Sequence, residues 1–314
     1  MINKLFLLSA TLGAAVALGC ISYAANPTAN LTVKVTGVSA GGACPGGDSG
    51  FVPAGYTCVV SETDEFNGTS IDTSKWGLSG TPTCSEGGGY LTLTMNNNSS
   101  CGVWSKFNLP SAPAYIEWRR RLNPYQTSNS LYQFWTCYSK SNFNGDCIAG
   151  HTGNSGISEE TDADMGAQCS NRVDPGATNF YSLCTDLWGW QNGSANIANF
   201  VNASYSGPAI GNGNAFHIIG LQRLATPSPN GTLIWSVDGC VVKTMGAASA
   251  ITSCGNTAPN YPMSWGPYWV TPPSGGAGGN DYFIVELFCS SGSCPNMTID
   301  WDYVRTYCVV GQSC

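Results

Sequence analysis

Three acidic residues stand at alternate positions of one short segment: Glu160, Asp162 and Asp164. Side chains of an extended strand alternate between its two faces, so this spacing predicts three carboxylates on one face. The other face would take the alternate residues Thr161, Ala163 and Met165. Glycoside hydrolysis needs a carboxylate nucleophile and a carboxylic acid/base, and a third acid between them can position the nucleophile. A cation site and a solvated acidic loop are the alternative interpretations.

The amino terminus has the features of an export signal. Lys4 precedes an apolar stretch, residues 5–18, that is too short to span a bilayer. Residues 22–24 offer a cleavage site, which predicts a signal peptide over residues 1–24. Residues 17–20 loosely resemble a lipobox that would place a lipid anchor on Cys20, but the usual aliphatic residue three positions earlier is missing. We therefore expect a secreted or cell-envelope protein without a membrane span.

The cysteine content supports export. The chain has 15 cysteines, and removing Cys20 with the leader leaves an even number for disulfides in an oxidising compartment. Near neighbours in sequence are Cys44 and Cys58, Cys84 and Cys101, Cys137 and Cys147, Cys169 and Cys184, Cys240 and Cys254, Cys289 and Cys294, and Cys308 and Cys314. Pairing of neighbours would staple hairpins and loops, although the sequence leaves the connectivity open. With two histidines and no matching Cys-x-x-Cys motif, a zinc site is not expected.

The charge and the aromatic content limit the kinds of molecule that the protein is expected to bind. The net charge is −7 and no basic run is present, which argues against nucleic acid. The chain carries 10 tryptophans and 14 tyrosines, and exposed aromatic faces are surfaces on which sugar rings stack. We expect a polysaccharide as the partner, no bound cofactor, and a monomer.

Short alternating runs broken by Gly, Asn, Pro and Ser indicate an all-β protein, since helical periodicity is nearly absent. The predicted strands cover residues 90–95, 115–121, 233–237, 240–243, 282–288 and 297–305, with a further candidate at 31–38. Asp238 and Gly239 form a two-residue turn signal, which predicts a hairpin. The mostly apolar segment 282–288 is expected to be a central strand.

The same pattern sets the domain boundaries. Residues 25–60 are rich in Gly and Pro and are interpreted as a cysteine-tied amino-terminal extension. Residues 61–308 have the size of one large β-sandwich, and residues 309–314 form a tail. Residues 138–158 and 270–281 are predicted loops.

Several segments, in order, resemble glycoside hydrolase family 16, the laminarinase-like β-glucanases. The matching segments are residues 64–68, 71–72, 75–76, 103–107, 117–119, 134–135, 216–218, 235, 237–239 and 299–305. The resemblance covers roughly residues 61–307. It implies a jelly-roll sandwich of two curved antiparallel sheets, with a substrate cleft on the concave face.

The active strand of that family has the pattern Glu-x-Asp-x-Glu, or a version with one extra residue before the last Glu. The resemblance places Glu160 at the nucleophile position and Asp162 at the helper position. Asp164 stands where the acid/base Glu is expected, and Thr161 and Ala163 replace large aliphatic residues.

The shorter acid has a geometric consequence. Positions four apart on a strand lie ~13 Å apart along the chain, and two leaning Glu side chains bring their carboxyls to the ~5–5.5 Å of retaining enzymes. Losing one methylene, roughly 1.5 Å of reach, would open the pair to about 6.5–7 Å, close to the inverting range. A local bulge or backbone shift would restore the distance. Without it, sugar binding would persist while catalysis slowed or vanished.

Aromatic residues near this strand are candidate substrate contacts. The resemblance implies that Trp118 and Trp135 flank the cleft, and Trp188 and Trp190 would add a stacking platform from a loop. Core packing is the alternative for each tryptophan.

The remaining candidates carry less chemistry. His151 is interpreted as an ordinary loop residue and His217 as a strand residue. Glu65, Asp300 and Asp302 could contribute to a structural calcium site, as in some family members, although salt links with arginine are the favoured role.

These observations together predict a secreted, endo-acting glycoside hydrolase that cleaves a β-glucan or similar polysaccharide with retention. A glycan-binding or structural cell-surface protein on the same fold is the first alternative. A transglycosylase, which uses the same acids, is the second.

Overall fold

The computed structural model describes residues 42–80, 84–95, 101–110, 113–123, 130–139, 157–165, 184–191, 194–199, 215–226, 231–258, 260–261, 280–289 and 297–312. No helix among them is long and apolar enough to cross a membrane. The candidate strand at 31–38, His151 and most of the two predicted loops lie outside the described residues.

The described chain is built from strands, apart from turns and a 3-10 turn at Val60–Glu62. The strands are β1 Tyr56–Cys58, β2 Trp76–Gly80, β3 Cys84–Gly87, β4 Tyr90–Met95, β5 Cys101–Ser105, β6 Ala114–Asn123, β7 Ser130–Ser139, β8 Ile157–Met165, β9 Cys184–Gln191, β10 Ser194–Asn199, β11 His217–Leu224, β12 Thr232–Val237, β13 Cys240–Met245, β14 Thr252–Ser253, β15 Asn256–Thr257, β16 Asn260–Tyr261, β17 Asn280–Cys289 and β18 Met297–Val309. The all-β prediction is confirmed, and the predicted strands correspond to β4, β6, β12, β13, β17 and β18.

All but two of these strands form the two sheets of a jelly-roll sandwich, and β14 pairs with β15 in a separate two-stranded sheet. A nine-stranded sheet has the order β16-β13-β12-β11-β6-β18-β4-β3, with β1 pairing against β18. A seven-stranded sheet has the order β10-β9-β8-β7-β17-β5-β2. Pairing within these sheets is antiparallel except for the short contact between β13 and β16. β17 lies inside its sheet, between β7 and β5, as its apolar sequence predicts.

The inner face of the nine-stranded sheet is a dense aromatic and aliphatic layer. Trp118 of β6 pairs with Ile219 of β11 and with Val304 of β18, and all three side chains have no exposed surface. Trp235 and Trp301 are equally buried. Burial of large apolar side chains is the main stabilising contribution to such a sandwich.

Residues 42–60, the described part of the predicted amino-terminal extension, cover part of the outer face of this sheet. Cys44, Val52 and Tyr56 form one buried cluster with Tyr115 of β6 and Tyr307 of β18. The disulfide between Cys44 and Cys58 closes the extension on itself, and β1 pairs with β18. The extension is therefore packed on the sandwich through both apolar contacts and a strand pairing.

The predicted hairpin forms between β12 and β13. Asp238 and Gly239 have φ angles of 48° and 78°, the left-handed backbone that a two-residue hairpin turn requires. The Asp238 carboxylate accepts a hydrogen bond from the Ile218 amide at 2.9 Å and contacts His217 Nδ1 at 2.8 Å. His217 thus ties the hairpin turn to the start of β11, in agreement with its interpretation as a strand residue.

Three of the neighbouring cysteine pairs are bonded in the described chain: Cys44–Cys58, Cys84–Cys101 and Cys240–Cys254. Cys308 is also disulfide-bonded. The other neighbouring pairs include residues outside the described ranges. Disulfides across short loops stabilise a protein by restricting its unfolded chain.

Candidate functional site

The strand with the three acids, β8, lies inside the seven-stranded sheet between β7 and β9. Glu160 pairs with Cys137 of β7 and with Trp188 of β9. Asp162 pairs with Trp135 of β7. Since directly paired residues of an antiparallel ladder share a face, Glu160 and Asp162 occupy one face together with these partners.

A second acid stands beside Asp162 on the next strand. Asp162 pairs directly with Asp186 of β9. Asp186 therefore occupies the same face as Glu160 and Asp162, although it lies 24 positions or more further along the chain. Sequence analysis missed this residue.

The register of β8 shifts between Asp162 and Asp164. Trp135 and Phe134 are consecutive on β7, yet they pair with Asp162 and Asp164, so β8 carries one extra residue. The ladder with β9 shifts in the same place, between Asp162 and Met165. A bulge of this kind leaves one residue unpaired and changes the face of every later position.

The burial of two neighbouring residues of β5 distinguishes the two faces of the seven-stranded sheet. Val103 has no exposed surface, whereas the neighbouring Trp104 is partly exposed. Trp104 stands in one row of paired positions across six strands: Gly77, Trp104, Ile284, Trp135, Asp162 and Asp186. Val103 stands in the next row with Val285, Phe134 and Asp164.

The predicted alternation therefore holds from Glu160 to Asp162 and is interrupted before Asp164. Glu160 and Asp162 belong to the face of the partly exposed Trp104. Asp164 belongs by register to the row of the buried Val103. Met165, predicted for the other face, pairs with Gln133 and returns to the face of Glu160. The carboxyl distance between Glu160 and Asp164 lies outside what the structure describes.

Three of the four candidate tryptophans belong to this face. Trp135 pairs with Asp162, Trp188 pairs with Glu160, and Trp190 pairs with Ser158. The prediction that Trp188 and Trp190 lie in a loop is wrong, because both belong to strand β9. Gly189 between them is a tolerated strand glycine rather than a loop signal.

Trp118 stands apart from these residues. It belongs to β6 of the other sheet and has no exposed surface. Its partners across the ladders, Ile219 and Val304, are core residues. The structure thus gives Trp118 the core role that sequence analysis held as the alternative.

Trp104 is a residue of this face that sequence analysis did not select. A Cβ atom on Gly77 would overlap the Trp104 indole, so the ring lies directly against the bare backbone of β2. Part of this information was present in the sequence. Trp104 lies in one of the segments that resemble family 16, and Gly77 directly follows Trp76, the end of another.

The acids considered for calcium are instead paired with arginine. Glu65 accepts two hydrogen bonds from Arg305, at 2.9 and 2.7 Å. Asp300 accepts from Arg121 at 2.8 Å, and Asp302 accepts from Arg119. Among the described residues, no group of three His, Cys, Asp or Glu side chains is placed to hold a metal ion. These ion pairs fit the favoured structural role.

One strongly buried acid lies outside β8. Burial raises the pKa of Glu117, although Ser49, Arg305, Tyr307 and Tyr115 all favour its charged form. Perturbed acids in clefts are candidate functional groups. Glu117 is instead covered by the amino-terminal extension, with the Ser49 hydroxyl 2.7 Å from its carboxylate, so it has a structural role.

No protein-family model and no curated protein sequence matches the chain. Among solved structures, the chain is similar to the β-porphyranase BpGH16B from the human gut bacterium Bacteroides plebeius. The identity is 16%, the match covers 83% of this chain and 95% of that one, and the TM-score is 0.51.

Two further structures illustrate the range of similar proteins. The catalytic domain of an endo-1,3-β-glucanase (laminarinase) from Thermotoga petrophila RKU-1 has 12% identity and a TM-score of 0.46, over 82% of this chain and 99% of that one. The Emp46p carbohydrate recognition domain has 14% identity and a TM-score of 0.44, over 79% and 96%. The likeness to the porphyranase establishes a fold of the family 16 type.

Proposed function

We propose that the chain is a secreted glycoside hydrolase that cleaves internal β-glycosidic bonds of a polysaccharide, with a β-glucan as the first substrate to test. The observation that carries this proposal is the shared face of Glu160 and Asp162 on an interior strand. Trp135 and Trp188 pair with these two acids, which supplies aromatic positions beside the reacting groups. The fold of the family 16 type supports the same class of reaction.

The proposed chemistry has two steps with balanced bonds. In the first, the Glu160 carboxylate bonds to the anomeric carbon, the glycosidic C–O bond breaks, and its electron pair stays on the leaving oxygen. A carboxylic acid of the site gives that oxygen its proton. In the second step, water attacks the same carbon and gives a proton to the carboxylate that acted as the acid in the first step. The bond between the sugar and Glu160 breaks, which releases Glu160. The resemblance to family 16 assigns the acid role to Asp164 and the positioning of Glu160 to Asp162.

Export is part of the proposal. The apolar leader at residues 5–18 and the disulfides Cys44–Cys58, Cys84–Cys101 and Cys240–Cys254 support an oxidising location. A polysaccharide outside the cell is the substrate such a protein would meet.

Reducing-sugar release from a panel of β-1,3-glucan, mixed-linkage glucan, agar and carrageenan tests the proposal. The parent protein is expected to release oligosaccharides from at least one of them, and Glu160→Gln is expected to abolish that release. Glu159→Gln is the matched control and should retain activity, because Glu159 is adjacent to Glu160 on β8 and belongs to the opposite face of the strand. Activity that survives Glu160→Gln contradicts the assignment.

A glycan-binding protein is the second candidate, and one observation favours it. The register places Asp164 in the row of the buried Val103 and Met165 on the face of Glu160. A site without an acid at that place would bind sugar without cleaving it. Calorimetry with the same polysaccharides separates the two, since binding without any release of reducing ends supports this candidate. Products longer than the substrate would identify a transglycosylase.

A further inference from the structure

We propose that Asp186 of β9 supplies the acid/base carboxyl of this site in place of Asp164. The inference rests on the proposed glycoside hydrolase function and assigns one role within it. The observation behind it is the direct pairing of Asp186 with Asp162, two residues from Glu160 on the same strand face.

The separation of the backbone positions favours Asp186. Glu160 pairs with Trp188, so Asp186 is its diagonal neighbour across the β8–β9 ladder. Diagonal neighbours on one sheet face lie ≈ 7–8 Å apart. A Glu and an Asp side chain at that separation can bring their carboxyls to the ~5–5.5 Å that retention requires. Positions four apart along one strand begin from ~13 Å.

The bulge in β8 removes the competing residue from this face. Asp164 pairs with Phe134, and Phe134 is paired through Val285 with the fully buried Val103. Because one extra residue separates Asp162 from Asp164, Asp164 takes an inward position instead of the outward position that regular alternation would give it. Glu160, Asp162 and Asp186 remain as the acids of the outward face on these two strands.

The pairing of two acids is consistent with a proton held at the site. Like charges directly opposite each other are destabilising, and neighbouring carboxylates raise the affinity of one of them for a proton. The register also places Glu286 of β17 on this face, in the row of Gln133 and Met165. The described part of β10 carries no titratable residue. We assign the proton of this pair to Asp186, which would give it to the leaving oxygen while Glu160 attacks as the carboxylate.

The chemistry assigned to Asp186 is a proton transfer in each step. Its carboxylic acid gives a proton to the leaving oxygen as the glycosidic bond breaks. The resulting carboxylate then takes a proton from the water that attacks the glycosyl ester of Glu160. Proton transfer by a positioned acid contributes roughly 10²–10⁴-fold to the rate.

The test compares Asp186→Asn, Asp164→Asn and Glu160→Gln in the full chain, with Glu159→Gln as the control. Each is assayed on the polysaccharide cleaved by the parent and on an aryl oligosaccharide with a good leaving group. Asp186→Asn is expected to lose roughly 10²–10⁴-fold on the polysaccharide, and much less in the first step on the aryl substrate. Added azide should restore its turnover and yield a β-glycosyl azide.

The outcomes separate this inference from the function on which it rests. If Asp164→Asn shows the leaving-group dependence and azide rescue while Asp186→Asn does not, Asp186 is not the acid and the hydrolase proposal stands. If Glu160→Gln keeps the activity, the hydrolase proposal itself fails. If Asp186→Asn does not fold, Asp186→Glu retains a carboxyl there. A shifted alkaline limb in its kcat/KM–pH profile supports the assignment, because the general acid must be protonated to act, and an unshifted alkaline limb overturns it.

Discussion

Asp162 lies directly opposite Asp186 on one side and directly opposite Trp135 on the other. The central acid of β8 thus has a carboxylate on one neighbouring strand and an indole on the other. Two acids in direct cross-strand register oppose the stability of the sheet. The same row continues through Trp135 and Ile284 to the partly exposed Trp104.

Trp118 provides the first stability prediction. Trp118→Ala should lower the free energy of unfolding by about 3–5 kcal/mol, because a large side chain without exposed surface is replaced by a cavity. Sugar affinity, measured per folded molecule by calorimetry, should not change. Trp104→Ala is the matched tryptophan control, and its partial exposure predicts a smaller loss in urea denaturation. Weaker sugar binding by folded Trp118→Ala would contradict the core assignment and indicate that Trp118 contributes to the cleft.

The sequence predicted β4, β6, β12, β13 and β18 from local alternation and β17 from its mostly apolar run. β4 coincides with the predicted segment 90–95, and the Asp238-Gly239 turn produced the expected hairpin. Such signals are local, because alternation and turn residues act over a few positions. The family resemblance then supplied the sandwich, which local pattern alone does not determine.

The candidate site was less predictable because it depends on neighbouring strands. The bulge after Asp162 has no glycine or proline to announce it and appears only in the register with β7 and β9. Asp186 is adjacent to Asp162 only through the sheet. Trp118 lies in an alternating strand like any other, and its burial depends on which of the two sheets it joins.

Asp238 provides a pH-dependent prediction. Burial alone would raise its pKa, but hydrogen bonds from His217 and the Ile218 amide outweigh burial and lower it below the usual 3.8. Its contribution to stability is therefore present above the unfolded pKa and is lost as pH falls through the lower folded pKa. Asp238→Asn, which tolerates the same left-handed backbone, should cost at most about 1 kcal/mol.

The measurement is the difference in unfolding free energy between the parent and Asp238→Asn at several pH values. That difference should be present at pH 5 and should shrink as pH falls below about 4. A difference that grows on acidification would contradict the lowered pKa.

Gly77 offers a test of the contact beneath Trp104. Gly77→Ala should destabilise the protein by about 1–3 kcal/mol, because its Cβ would overlap the Trp104 indole and force the ring to move. Gly87→Ala is the matched control, since no atom lies within 4 Å of a Cβ at that strand position. Equal midpoints in urea for the two variants would show that the ring does not lie against Gly77.

Two disulfides with the same loop length separate chain entropy from packing. Cys44–Cys58 and Cys240–Cys254 each span 14 positions, so the restriction of the unfolded chain predicts about 3 kcal/mol for either. Cys44 is 3% exposed and packs with Val52, Tyr56, Tyr115 and Tyr307, whereas Cys254 is exposed. Replacing Cys44 and Cys58 with Ala should therefore cost more than replacing Cys240 and Cys254.

Urea denaturation of the two double variants measures this difference, and limited proteolysis locates it. The variant without Cys44–Cys58 should be cut first within residues 42–58, because the extension loses its closure over the buried Glu117 and Tyr307. The variant without Cys240–Cys254 should keep the parental pattern there. Equal losses in unfolding free energy would mean that the buried packing around Cys44 adds nothing beyond loop closure.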